Sequence, residues 1–63
     1  MKNNLQELRW QNNLSQVNLS RRSGVKQQTI SEIEIRPESN PSIQTALRLA
    51  KALKVPVDEI FSL

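Results

Sequence analysis

The sequence predicts an all-α fold of five short helices, and three observations carry that expectation. Apolar residues recur three or four positions apart, and Ser, Gly and Pro stand where helices should start or stop. No stretch reads as a strand.

Helix one is predicted roughly from Leu5 to Asn12 in "NNLQELRWQNN". Leu5 and Leu8 lie three apart, Asn3 or Asn4 is available as N-cap, and Asn13 is suited to the left-handed closing position. Trp10 lies off that stripe and should be partly exposed, covering the core edge against the last helix. Helix two, Gln16 to Ser23, has Ser15 as its cap and Leu19 and Ser20 facing inward. Gly24 ends it, because only glycine adopts positive φ cheaply.

Helix three, Gln27 to Glu34, carries Ile30 and Ile33 on a narrow apolar stripe and an unusually broad polar face. "IRPESNP" holds two prolines and no periodicity and reads as a loop. Ser42 caps helix four, "IQTALRLAKAL", in which Ala46, Leu49, Ala50 and Leu53 share one face; Lys54 stands where a glycine is expected. Pro56 and Val57 start the last helix, with Asp58 and Glu59 in the first turn, where carboxylates suit the helix dipole, and Ile60 and Phe61 behind them. No internal repeat or linker is visible, and the 63 residues have room for one small domain, 1–63.

Composition removes several chemistries. The chain has no Cys and no His, so disulfides, zinc-thiolate sites and Ser/His or Cys/His catalysis are excluded, and neither a metal nor a cofactor is expected. Glu32 and Glu34 lie two apart on different faces of one helix and cannot act as an acid/base pair, so no catalytic residue is assigned and an enzyme is not expected. No apolar run exceeds two residues, and "MKNNLQEL" lacks a signal-peptide stretch, so a soluble cytoplasmic chain without a membrane partner is expected. The net charge of +3 and pI near 10.0 lean toward an anionic partner.

Helix, glycine turn and helix within about 20 residues match a helix-turn-helix. Leu19 and Ser20 precede Gly24, and Val25, Ile30 and Ile33 follow it. With "LRWQNNLSQ", "LSRRSGV", "QQTISEIE", "NPSIQTALRLAKAL" and "VDEIF" in this order, the sequence resembles the Cro and phage-repressor (Xre-type) helix-turn-helix family over essentially its whole length. The resemblance implies a lambda-repressor-like five-helix domain that binds double-stranded DNA as a homodimer, with the third helix in the major groove.

Under that resemblance Gln27 and Gln28 become base-reading residues, since a Gln amide can donate and accept together, most naturally at adenine N6 and N7. Gln16 matches a family position that reaches a phosphate or base. Thr29 can meet a thymine methyl or a phosphate, and Glu32 can accept from cytosine N4 or repel a wrong sequence. Lys26 is a cation at a helix start, which the dipole disfavours, and a neighbouring phosphate offsets that cost. Arg36, Ser39 and Asn40 lie in the loop with which the family contacts the DNA backbone.

The resemblance also implies a partly buried ion pair between Arg9 and Glu34, with the Arg9 guanidinium edge offered to phosphate; Val57, Phe61 and Leu63 are either ordinary core or the dimer seam that the family forms at this end. The chain departs from the family pattern at Ile35, Arg36 and Pro37, where Asn-Gly is common. It departs again at Ser23, an expected aliphatic, and at Lys26, an expected cap. The reading is a transcriptional regulator, a repressor in type. The rival is an antitoxin or protein-interaction module that keeps the helix-turn-helix fold.

Overall fold

The computed structural model describes residues 2–36 and 41–62. Five helices follow in order: α1 (Leu5–Gln11), α2 (Gln16–Ser23), α3 (Gln27–Ile35), α4 (Ile43–Leu53) and α5 (Val57–Ile60). The predicted bounds hold for α2 and α4, while α1 stops one residue early and α3 runs one residue further, to Ile35.

Several helix ends have a local cause. Ser15 and Ser42 accept from the amides of Asn18 and Thr45, as N-cap hydroxyls do. At the other ends Asn13, Gly24 and Lys54 take φ of 56°, 76° and 59°. The Leu14 and Val55 amides then return to the Arg9 and Ala50 carbonyls, so the last turns of α1 and α4 close with a left-handed residue. Lys54 supplies the conformation for which glycine is favoured, at the steric cost of its Cβ.

The expectation of no strand is corrected. Lys2–Asn3 (β1) and Phe61–Ser62 (β2) pair antiparallel, Lys2 with Ser62 and Asn3 with Phe61. Two residues are too few to show alternation, so this pairing could not be read from pattern. Phe61 accordingly leaves the helix and enters β2. Asn3 secures the arrangement: its side-chain amide donates to the Ile33 carbonyl at 2.8 Å, and its Oδ1 accepts from the Leu5 amide at 3.2 Å.

The core gathers one or more residues from every helix. Leu5, Leu19, Ile30, Leu49 and Ile60 are wholly enclosed, joined by Ile33, Leu53, Leu14 and Val25. The apolar face predicted for α4 is the face buried: Ala46, Leu49, Ala50 and Leu53 all lie inside. Truncating any of the enclosed leucines to alanine costs about 2–5 kcal/mol, a large share of what a domain this small can hold. Trp10 differs from its expected role. It is 58% exposed, and its ring lies under the Arg9 guanidinium at 5.8 Å instead of closing the core.

Candidate nucleic-acid interface

The geometry of α2 and α3 depends on a small residue and two hydroxyls. Ser20 donates its hydroxyl to the Val25 carbonyl, so the position that must be small also locks the far side of the turn. Ser23 donates to the Leu19 carbonyl at 2.7 Å and accepts from the Val25 amide at 3.1 Å. The hydroxyl that departs from the family's usual aliphatic is thus half of a latch around Gly24. The angle between α2 and α3 is fixed there.

α1 is joined to this pair by charge. Arg9 Nε donates to Glu34 Oε2 at 2.8 Å and Nη2 to Glu34 Oε1 at 3.0 Å, a two-point contact. Nη1 donates to the Leu14 carbonyl at 2.9 Å, which ties in the turn before α2. Both side chains are nearly enclosed, 8% and 3% exposed. The hydrogen bond to Glu34 raises the Arg9 pKa above its ordinary value; burial opposes this and the attraction of the carboxylate adds to it. The pair foreseen from sequence is present. With its guanidinium committed in this way and largely enclosed, Arg9 offers little edge to an outside phosphate.

Gln16 joins the same cluster, its side-chain amide donating to Glu34 Oε1 at 3.1 Å. One carboxylate therefore gathers α1, α2 and α3. The half-buried Gln16 keeps its carbonyl oxygen and one amide hydrogen for other contacts.

On α3, Ile30 and Ile33 face the core, while Gln27, Gln28 and Glu32 are exposed and Thr29 is half-buried. Lys26 is the residue before the helix, at φ −60° and ψ 140°, and among the described residues no side chain caps the helix start. The leading amides of α3 thus lack the side-chain acceptor that Ser15 gives α2 and Ser42 gives α4. Exposed Arg36 closes the other end, its amide donating to the Glu32 carbonyl. Ser39, Asn40 and Leu63 lie outside the described residues. Of the expected dimer seam, Val57 is half-buried and Phe61, 8% exposed, is committed to the core of its own chain.

A helix-turn-helix family model matches residues 5–60. The chain belongs to the Cro-like helix-turn-helix family. Two relatives extend the match across the domain. The HTH-type transcriptional regulator MJ0272 of Methanocaldococcus jannaschii is 39% identical over 61 residues, covering 97% of this chain and 91% of the relative. An HTH-type transcriptional regulator of Archaeoglobus fulgidus is 31% identical over 61 residues, covering 97% and 84%.

In this helix-turn-helix domain, sequence reasoning left one residue unused. Arg48 lies on α4 and lines the recess beside Gly24, Val25, Lys26 and Thr29 at the start of α3. The signal was present: Arg48 is the one cation of α4 that is neither in the last turn nor just beyond it, so the helix dipole does not explain it. Among the described residues no helix is long and apolar enough to cross a membrane.

Proposed function

We propose that this chain is a sequence-specific double-stranded DNA-binding regulator of transcription, a repressor in type, that lays α3 in the major groove. The observation that carries the proposal is the first turn of α3. Two adjacent glutamines stand exposed behind a cation, on a helix whose opposite face is buried. A free helix gains nothing from such a start, whereas a helix whose end meets phosphate and whose first turn reads base edges does.

Gln27 and Gln28 take the base edges, with Thr29 and Glu32 further along the same groove and Gln16 beside them. Lys26 and Arg36 contact phosphate, with Ser39 and Asn40 from the connecting loop, and Arg9 acts chiefly by holding the helices that carry the readers. The relatives' description as transcriptional regulators supports this reading. It is a binding function, not an enzymatic one, and belongs in the cytoplasm, where DNA is accessible. The domain binds as a homodimer that joins through its carboxyl end, with the half-buried Val57 in that seam and Leu63 beyond it in sequence.

The test is selection of genomic fragments by the purified domain, repeated with Gln28→Ala and with Lys26→Ala. Gln28→Ala should change base preference at one position of each half-site, a loss of about 1–3 kcal/mol of discrimination. Lys26→Ala should weaken all sequences nearly equally and lower the salt slope by about one. If neither substitution alters DNA binding, the groove-reading function is wrong and a protein-interaction role replaces it.

A further inference from the structure

We propose that a strip of cations running from Lys26 through Arg48 to Arg22, Lys51 and Lys54 is a second phosphate-binding surface, one that takes the duplex backbone flanking the stretch read by α3. The inference rests on the DNA-binding reading above and extends it from Lys26, which that reading already places on phosphate, to Arg48, Arg22, Lys51 and Lys54, which it does not use.

Two recesses make the strip continuous. The first, beside the start of α3, is lined by Lys26, Thr29, Gln44, Thr45 and Arg48. The second, between the carboxyl ends of α2 and α4, is lined by Arg22, Ser23, Arg48, Lys51 and Lys54. Arg48 belongs to both, and its Nη1 lies 3.8 Å from where a Cβ on Gly24 would stand, so its guanidinium sits over the helix-turn-helix turn. The junction of the strip is therefore at the base of the reading helix.

Among the described residues, no carboxylate lines the strip. Helix α4 contains no acidic residue, and the ion pair among the described residues is Arg9 with Glu34. Glu7, Asp58 and Glu59 instead line a recess between α1 and α5. The helix dipole accounts for Arg22, Lys51 and Lys54 at or just past last turns. It does not account for Arg48 in mid-helix or for Lys26 at a helix start, and these two meet in the first recess. A row of like charges repels itself, and a ligand with repeated negative charges relieves the whole row at once. The hydroxyls of Thr29 and Thr45 and the Gln44 amide add neutral donors of the kind that duplex phosphates accept. A duplex backbone, with its charges evenly spaced along a line, fits such a strip.

The test compares salt titrations of the wild-type domain and the Arg48→Gln/Lys51→Gln variant on two duplexes, one limited to the selected site and one extended on both sides. Gln keeps nearly the helix propensity of the residues replaced, and a thermal melt checks that the variant is folded. Each phosphate contact contributes about 0.9 to the salt slope, so on the extended duplex a fourfold rise in salt should weaken the variant roughly 12-fold less than the wild type. On the short duplex the two slopes should coincide, base preference should be unchanged, and Arg48→Lys should retain the wild-type slope. Equal slopes on both duplexes would overturn the proposal. An equal loss on the short duplex would also overturn the flanking assignment, by placing the strip inside the read site. A wild-type domain that selects no sequence would instead count against the parent reading, so the two failures are distinguishable.

Discussion

Arg9 and Glu34 show how much one pair of side chains can decide in a small domain. Replacing Arg9 by methionine leaves a carboxylate at 3% exposure without its partner, a change worth about 3–5 kcal/mol when a buried pair is broken from one side. Arg9→Met should therefore unfold at markedly lower urea. A second substitution, Glu34→Leu, should recover much of the loss by removing the stranded charge. Because the Glu34 hydrogen bond raises the folded-state pKa of Arg9, the contribution of Arg9 is complete below its ordinary value and is lost only as pH rises through the raised one. Through neutral and mildly alkaline pH, Arg9 should thus impose no pH dependence on stability. Lys26 predicts an exchange of stability for binding. Lys26→Ser installs the missing N-cap and should raise the unfolding free energy by about 1 kcal/mol. The same substitution should weaken DNA binding, as measured by anisotropy; stabilisation with undiminished DNA affinity would mean that the lysine has no phosphate to meet. The sequence made the Lys26 conflict visible because a cap is a local rule. The Gln16 contact with Glu34 was not visible, because it spans 18 residues and depends on the crossing of α2 and α3.

At the scale of elements, what could be read in advance was what depends on neighbours along the chain. Ser15 and Ser42 caps, the Gly24 turn and the buried face of α4 follow from residues within one or two turns of each other, and the structure has them where expected. The role of Ser23 is hidden in the sequence for the complementary reason. An aliphatic was expected at that position, and the hydroxyl gained its purpose only when the path of Val25 was known. Ser23→Ala removes two hydrogen bonds around the turn and should cost about 1–2 kcal/mol by denaturant titration. The loss should loosen the angle between α2 and α3, so faster amide exchange at Val25 is the local signature to look for. Trp10 differs for a similar reason: its place off the Leu5 and Leu8 stripe suggests the core edge, but the side chain is 58% exposed with the Arg9 guanidinium 5.8 Å from its ring. The β1 and β2 pairing lay beyond pattern altogether, since it joins residues near opposite ends of the chain.

For the whole molecule, the apolar surface left outside is informative about assembly. Ile35, Ile43 and Leu47 are 73%, 81% and 57% exposed, while Phe61 from the expected seam is buried. The dimer proposed at the carboxyl end therefore depends on Val57 more than on Phe61. On a pseudo-palindromic duplex with half-sites about 34–36 Å apart, the domain should sediment as two copies per duplex, and Val57→Glu should reduce this to independent single copies. Monomeric sedimentation of the wild type on its selected site would remove dimerisation from the model. The β1 and β2 pairing adds a mechanical property. Because Lys2 and Ser62 sit side by side on antiparallel strands, tension applied through the two ends loads the ladder one rung at a time instead of shearing it as a unit. The next tie in the line of force is the 2.8 Å bond from the Asn4 amide to the Ile60 carbonyl. Under load the domain should open like a zipper from this seam, releasing Phe61 and then Ile60, before the latch around Gly24 is stressed.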